Sequence, residues 1–175
     1  MTVPPPSAEP RASVLAVDDD PRNLTLLRSF LEPNYRIVAA SDGPSAIAAL
    51  RAEPSLDIVL LDVMMPGMSG FEVCRAIKAD AELRRIPVLL LTALRDQADR
   101  NAGLEAGADD FLSKPIDRRE LTLRVQAFVR LRRQDLRIAR QLEELRELDR
   151  LKDDLVSLIV HDLRNPLAGM LGFLS

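Results

Sequence analysis

Five short apolar runs, each followed by a segment with helical spacing, constrain the fold of this chain more than any other feature. The clearest run, Ile58–Leu61, is apolar at every position and ends abruptly at Asp62. Such a run is typical of a central strand in a parallel sheet that is covered on both sides. Similar runs begin near residues 13, 35, 88 and 109. The alternation predicts an α/β fold of the (βα)5 type, with a doubly wound parallel five-stranded sheet.

Local signals mark where several helices begin and end. Asp20 followed by Pro21 predicts an N-cap and a first helical residue, and Ser69 predicts a second N-cap. A further helix is expected from about Asp96 to Ala106, with Gly107 as its C-cap. These signals place the polar residues that follow the strands in short loops.

The last third of the chain differs, because the stretch 117–165 contains neither glycine nor proline. Asp117 and Glu120 predict a capping box at the start of a long helix. Apolar residues from Ile138 to Ile159 follow coiled-coil spacing, with an irregularity around Leu145–Leu151. A helix with such a stripe needs a partner to bury it, so we expect a homodimer through a parallel coiled coil.

Composition narrows the classes of function. Hydrophobic residues make up 47 % of the 175 residues, which is enough for a core. The formal net charge of −3 gives no general argument for nucleic-acid binding, and the Arg130–Arg140 run is interpreted as a solvated helix face. Without a signal-peptide pattern or a long apolar run, we expect a cytoplasmic protein with no membrane contact. The single cysteine, Cys74, is expected to be a small buried side chain.

Acidic residues follow two of the predicted strands. Asp18 and Asp19 end the first strand, and Asp62 ends the third. The first and third strands can be neighbours at the switch point of a doubly wound sheet, where ligands bind. Each aspartate alone could be a helix cap or a turn residue. Together, three converging carboxylates favour a Mg²⁺ site.

A hydroxyl and a cation complete this edge of the sheet. Thr92 ends the fourth strand, and Lys114 follows the fifth. A carboxylate nucleophile, a divalent metal, a hydroxyl and a lysine are the groups that phosphoryl transfer to an aspartate requires. An alternative is an aspartate-nucleophile phosphatase with its nucleophile after the first strand. That alternative leaves the segment 60–67 (LLDVMMPG) and Lys114 unexplained.

Residues 13 to about 130 resemble the receiver domain of two-component response regulators, a flavodoxin-like fold. The resemblance lies in VDDDP at 17–21, LLDVMMPGMSG at 60–70, LTA at 91–93 and FLSKP at 111–115. It implies that Asp62 is the phosphoacceptor and that Mg²⁺ (or Mn²⁺) binds beside it. The implied ligands are Asp19, Asp62 and the backbone carbonyl of Met64, with Asp18 acting through water. The resemblance also implies that Thr92 and Lys114 contact the phosphoryl group, and that Phe111 moves with Thr92 as a switch.

A second motif lies near the end of the chain, in SLIVHDLRNPL at 157–167. His161, the only histidine, could be an ordinary surface residue. The stretch nevertheless resembles the H-box of sensor histidine kinases. That resemblance implies that His161 is autophosphorylated, that Asp162 is an acid/base and that Asn165 assists phosphatase action. Asn165 and Pro166 are also expected to bend the helix.

These patterns predict four segments: a disordered lead-in (1–12), a receiver domain (13–130), a coiled-coil linker (131–150) and the first helix of a kinase dimerisation domain (151–175). We expect a hybrid signalling protein whose receiver regulates a C-terminal histidine kinase and exchanges phosphoryl groups with phosphorelay partners. No glycine-rich phosphate cradle occurs in the sequence, so ATP would bind only through a further C-terminal domain, and this stretch by itself should not be a kinase. The alternative is a receiver whose helical tail only dimerises or docks a partner.

Overall fold

The computed structural model describes residues 11–93 and 97–172, and at 97–100 and 160–172 it describes the backbone alone. Strands and helices alternate through this part of the chain. The strands are β1 (Ser13–Val17), β2 (Arg36–Ala40), β3 (Ile58–Asp62), β4 (Val88–Thr92) and β5 (Asp110–Ser113). The helices are α1 (Pro21–Leu31), α2 (Gly43–Ala52), α3 (Gly70–Ala79), α4 (Gln97–Glu105) and α5 (Arg118–Gly172).

The five strands form one parallel sheet in the order β2-β1-β3-β4-β5. Val17 pairs with Leu61 where β1 lies beside β3, and Thr92 pairs with Ser113 where β4 lies beside β5. The predicted fold class is therefore confirmed, including the neighbouring first and third strands. Since all strands are parallel, the residues that follow them meet at a single edge.

The apolar strand residues divide between two cores, one on each face of the sheet. Leu15, Val59 and Leu90 point to the face covered by α2 and α3. Their neighbours along the strands, including Leu60 and Leu89, point to the face covered by α1 and the first turns of α5. Successive strand residues face opposite ways, so a run that is apolar throughout can fill both cores.

Side-chain caps hold the helices that border the carboxyl edge of the sheet. Asp20 caps α1, where its carboxylate accepts a hydrogen bond from the Arg22 amide. Ser69 caps α3 and forms a reciprocal capping box with Glu72. Both caps were predicted from the sequence. The expected α4 start at Asp96 lies outside the described residues, and α4 is helical from Gln97.

The last helix begins at Arg118, next to the predicted cap. The Asp117 carboxylate accepts a hydrogen bond from the Glu120 amide at 2.8 Å. The Glu120 side chain instead binds Arg124 at 2.8 Å, so only half of the predicted capping box forms. Helical backbone continues through Pro166 to Gly172, in agreement with a predicted helix that runs on past the proline. The bend at that proline stays a prediction.

The chain divides into two compact units, Met1–Arg133 and Gln134–Ser175. The first unit contains the sheet and its helices. In the second unit, the described residues form a single helical segment whose large apolar side chains are exposed. Leu142, for example, is 48 % exposed and Leu145 is 63 % exposed. No helix among the described residues is both long enough and apolar enough to cross a membrane.

Candidate functional site

Three carboxylates converge at the carboxyl edge of the sheet. Asp18 directly follows β1 and is fully buried, and Asp62 is the last residue of β3 and is 4 % exposed. Asp19 lies beside them and faces solvent. One carboxylate oxygen of each residue lies within 4.8 Å of one from each of the other two. The sequence therefore predicted correctly that these residues meet.

Lys114 reaches this acidic cluster from the end of β5. Its Nζ atom lies 2.9 Å from Oδ1 of Asp62 and 3.1 Å from Oδ2 of Asp18. The Lys114 backbone amide donates a hydrogen bond to the Thr92 carbonyl at 2.7 Å. The peptide bond between Lys114 and Pro115 is cis. One lysine thus contacts the ends of two strands that are not adjacent to its own.

The buried Asp18 carboxylate is held by a residue that the sequence analysis missed. The Asn23 side-chain amide donates to both carboxylate oxygens of Asp18 at 3.0 Å. The Asp20 amide donates to Asp18 Oδ1 at 2.9 Å. Asn23 lies in the first turn of α1, immediately after the acidic run. An amide side chain at that position was the available signal.

Burial and the lysine act in opposite directions on Asp62. Burial raises the pKa of Asp62, while the bond from Lys114 and a hydrogen bond from the Met64 amide partly offset that rise. For Lys114, burial is the largest single factor and lowers the pKa. The bonds to Asp62 and Asp18 outweigh burial, so the pKa of Lys114 is raised overall. The lysine is therefore held as an ammonium ion beside the carboxylates.

The donor set fits a divalent cation. Three carboxylates and one ammonium group leave two negative charges uncompensated at this edge. Carboxylate oxygens on a partly wet rim are the ligands that Mg²⁺ takes, and Mg²⁺ also keeps several waters. Asp19 is exposed, so water can reach the cluster. A divalent cation would offset the repulsion among the carboxylates. Asp18, Asp19 and Asp62 are therefore suited to hold one.

The loop after Asp62 is packed closely against the end of β3. A Cβ atom at Gly70 would lie 2.2 Å from the backbone oxygen of Asp62, so only glycine fits there. Gly67 has a φ of 79°, in the left-handed region that favours glycine. The side chain of Met64 is 62 % exposed. These two glycines allow α3 to start directly beside the acidic cluster.

The two residues predicted to act as a switch lie on β4 and β5. Thr92 is 7 % exposed and ends β4. Phe111 is half-buried, lies opposite Leu90 in the sheet and packs against the core on that face. A Cβ atom at Gly103 of α4 would lie 2.2 Å from the Phe111 ring, which places the ring directly against α4. The ring thus fills the space that a larger residue at position 103 would need.

The second predicted site lies on α5. His161, Asp162 and Asn165 belong to the helical backbone, and their side chains lie outside the described residues. The structure therefore brings together Asp18, Asp19, Asp62 and Lys114. The roles of these residues and the histidine site stay predictions.

A family model described as the response regulator receiver domain matches residues 14–126. The chain belongs to this family. It is therefore a phosphoacceptor receiver domain of two-component signalling, followed by a long helix. The matched residues include all the carboxylates, the threonine and the lysine of the site described above.

Curated relatives agree with this assignment. The chain is 50 % identical over 122 residues to the response regulator PleD of Caulobacter vibrioides, covering 69 % of this chain and 27 % of PleD. It is 47 % identical over 118 residues to the transcriptional regulatory protein ResD of Bacillus subtilis, covering 67 % of this chain and 48 % of ResD. The chain thus spans between about a quarter and a half of the length of these two relatives.

Solved structures share the receiver fold. A response regulator from Chloroflexus aurantiacus matches with a TM-score of 0.64 and 32 % identity, covering 67 % of this chain and 97 % of that chain. The receiver domain of a sensor histidine kinase from Pseudomonas aeruginosa matches with a TM-score of 0.59 and 35 % identity, with the same two coverages. That second structure has a magnesium ion coordinated in its active-site cleft.

Proposed function

We propose that Asp62 accepts the phosphoryl group. The observation that carries this assignment is the Lys114 ammonium, which contacts both Asp62 and Asp18 at the end of the sheet. A carboxylate oxygen of Asp62 attacks the phosphorus atom of the donor. The bond from phosphorus to the leaving group breaks, and the leaving group departs with that electron pair. The product is an acyl phosphate on Asp62.

The surrounding side chains stabilise the charge that is transferred. Lys114 stays protonated beside two carboxylates, so its positive charge neutralises the phosphoryl oxygens as they arrive. Thr92 supplies a hydroxyl from the end of the neighbouring strand. Asn23 holds Asp18 in place, which keeps that carboxylate from turning toward the incoming group. Each of these residues orients a reacting group or neutralises its charge, and none needs to transfer a proton.

Mg²⁺ would be held by Asp19, Asp62 and the Met64 carbonyl, with Asp18 bound through water. When bound, the cation neutralises the developing charge on the phosphoryl oxygens. Because phosphoryl transfer would need the cation, a chelator should abolish labelling of Asp62. Removing Mg²⁺ should leave the fold intact, since the two cores lie away from this edge.

Phosphorylation with a small donor tests the assignment. Acetyl phosphate with Mg²⁺ should add one phosphoryl group by intact mass, and Asp62→Asn should abolish the addition. Asp42→Asn is a matched control, because Asp42 also follows a strand at this edge and asparagine is an equally good N-cap. Undiminished labelling of Asp62→Asn would contradict the assignment.

We infer that the receiver regulates a histidine kinase through α5. The H-box residues support this inference, with His161 as the phosphorylated residue, Asp162 as the acid/base and Asn165 in phosphatase action. Receiver domains of sensor histidine kinases also occur among the similar structures. One from Syntrophus aciditrophicus has a TM-score of 0.63 and 36 % identity. ATP would bind through a domain outside residues 1–175.

The coupling would run through a homodimeric coiled coil. Every large apolar side chain from Ile138 to Ile159 is about half exposed or more in the single chain, so the stripe needs a cover. Phosphorylation of Asp62 would then change the dimer interface and so the geometry at His161. Two glycines inserted near Arg140 should abolish regulation of the natural protein by Asp62 phosphorylation. Intact regulation after the insertion would exclude the helix as the route.

A second candidate is a receiver whose helix only dimerises or docks a partner. It is favoured by the curated relatives, which are response regulators. The His161→Gln variant of the natural protein separates the two candidates. Loss of label from radioactive ATP would support the kinase relay. No labelling of either protein would favour the second candidate, and equal labelling of both would show that His161 is not the labelled residue.

A further inference from the structure

The exposed stripe on the second unit contains two competing seams. Its spacing is regular through Leu142 and Leu145, as positions a and d of a coiled coil. If that register continued, the next seam residues would be Asp149, Lys152, Val156 and Ile159. If the register shifts by one residue, the seam becomes Leu148, Leu151, Leu155 and Leu158. Both sets lie on the described helix, and the apolar members of both are 53–62 % exposed.

We propose that α5 pairs with a second copy of this chain, in parallel, through the leucine seam, with Glu147 against the partner's Lys152. This proposal rests on the homodimer proposed above, whose parallel orientation the sequence already predicts, and adds the register and the charge pair. The leucine seam buries four leucines from each chain. The continuous register would bury Asp149 and Lys152, whose side chains are 69 % and 64 % exposed in the single helix. Burying those charged groups is unfavourable, so the dimer with the shifted register should be the more stable one.

Charge supports the same register. With Leu148 at a and Leu151 at d, Glu147 occupies position g and Lys152 occupies position e. In a parallel dimer, a g residue faces the e residue five positions later in the other helix. Glu147 therefore faces the partner's Lys152, and symmetry makes this contact twice. Within its own helix, Lys152 binds Asp149 at 2.6 Å and lies 3.6 Å from Asp153. Both carboxylates are exposed, so in the dimer Glu147 competes with them for the lysine.

An antiparallel pairing would place like charges together. Positions g then face g, and positions e face e, in the two helices. Glu147 and Asp154, both at g, would lie on the same side as their acidic counterparts, and Lys152 would face the other lysine. Like-charge pairs across such a seam are unfavourable. The sequence of this helix therefore selects the parallel orientation as well as the leucine register.

Disulfide cross-linking distinguishes the two seams. In a glutathione buffer, Leu151→Cys should form a covalent dimer at least about five times faster than Lys152→Cys, because a d position faces its own counterpart across a parallel seam. The unsubstituted chain is the control, since Cys74 is buried and should form no cross-link. Faster cross-linking of Lys152→Cys would overturn the register. A dimer that cross-links at neither position would overturn the parallel orientation.

Charge reversal tests the Glu147 contact. Glu147→Lys should weaken the dimer about tenfold in sedimentation equilibrium, and Glu147→Lys combined with Lys152→Glu should restore it. Glu143→Lys is the matched control, because it changes the charge equally and lies off both seams. A double variant no tighter than Glu147→Lys would overturn the contact. A monomeric unsubstituted chain would overturn the homodimer itself, which separates failure of the proposed function from failure of the register.

Discussion

The two parts of α5 carry the same apolar spacing in opposite environments. Leu121 and Val125 are fully buried against the sheet, whereas Leu145 and Leu148 are 63 % and 62 % exposed. The pattern in the sequence is similar in both parts, because it specifies a stripe along one side of a helix. What differs is burial: among the described residues, the sheet covers the apolar face of the first part, whereas the apolar side chains of the second part are exposed. The comparison teaches that apolar periodicity identifies the helix face that is to be buried, but does not specify what buries it.

Shortening one leucine in each part of α5 should show the largest difference between the two parts. Leu121→Ala leaves a cavity beside the sheet and should lower the free energy of unfolding of the receiver by about 3 kcal/mol. Leu145→Ala should change it by less than about 0.5 kcal/mol, because this side chain is 63 % exposed. Urea unfolding followed by fluorescence measures the effect, since Tyr35 is the single tyrosine and tryptophan is absent. An equal loss from both substitutions would contradict the comparison.

The reactivity of a thiol should also differ between the buried receiver core and the exposed part of α5. Burial raises the pKa of Cys74 to about 11, and its Sγ donates to the Ala106 carbonyl at 3.4 Å. At pH 8 its reaction with a disulfide reagent should be at least about a hundredfold slower than that of Arg150→Cys on the exposed helix. Arg150→Cys in a Cys74→Ala background isolates the exposed thiol. Comparable rates at both positions would show that α3 opens readily.

The same thiol gives a pH dependence with a definite sign. The unfolded chain loses the Cys74 proton near pH 9, while the folded chain keeps it to about 11. The folded state therefore binds more protons between these values, and the free energy of unfolding should fall as pH rises from 9 to 11. Cys74→Ala should flatten this part of the curve. A curve that is unchanged by the substitution would contradict the raised pKa.

Removing an ion pair from each of the two regions should give a smaller difference in the free energy of unfolding. Asp57 is buried, accepts the Ser13 amide at 2.9 Å and lies 3.4 Å from Arg133. Asp57→Ala leaves a buried amide without its acceptor and should cost about 2 kcal/mol. Glu143→Ala removes an exposed pair with Arg146 and should cost less than about 0.5 kcal/mol. Calorimetry on both variants measures the difference, and similar shifts in melting temperature would contradict it.

Much of the receiver could be predicted because its signals are local. The strand bounds follow from apolar runs, and the caps at Asp20 and Ser69 follow from adjacent residues. The convergence of Asp18 and Asp62 follows from one rule about parallel sheets. These inferences need the order of elements and no detailed packing.

Asn23 binds Asp18 from only five positions away, so this contact was missed although its signal is local. The other contacts that were missed depend on distant segments meeting. Asp57 and Arg133 are 76 positions apart, and no local sequence pattern at either residue predicts their contact. The role of Gly70 appears only once α3 lies against the backbone of Asp62. Such partners are selected by the folded shape, so residue spacing alone could not identify them.

The reach of Lys114 has a consequence for how the protein is made. Asp18 and Lys114 are 96 positions apart, and β5 sits two strands away from β3. During synthesis, the acidic cluster can form as soon as β1 and β3 pair, while its cation emerges from the ribosome much later. A nascent chain that stops short of β5 therefore carries the three carboxylates without the lysine that compensates part of their charge. This constellation of charges is complete only when the final strand is in place.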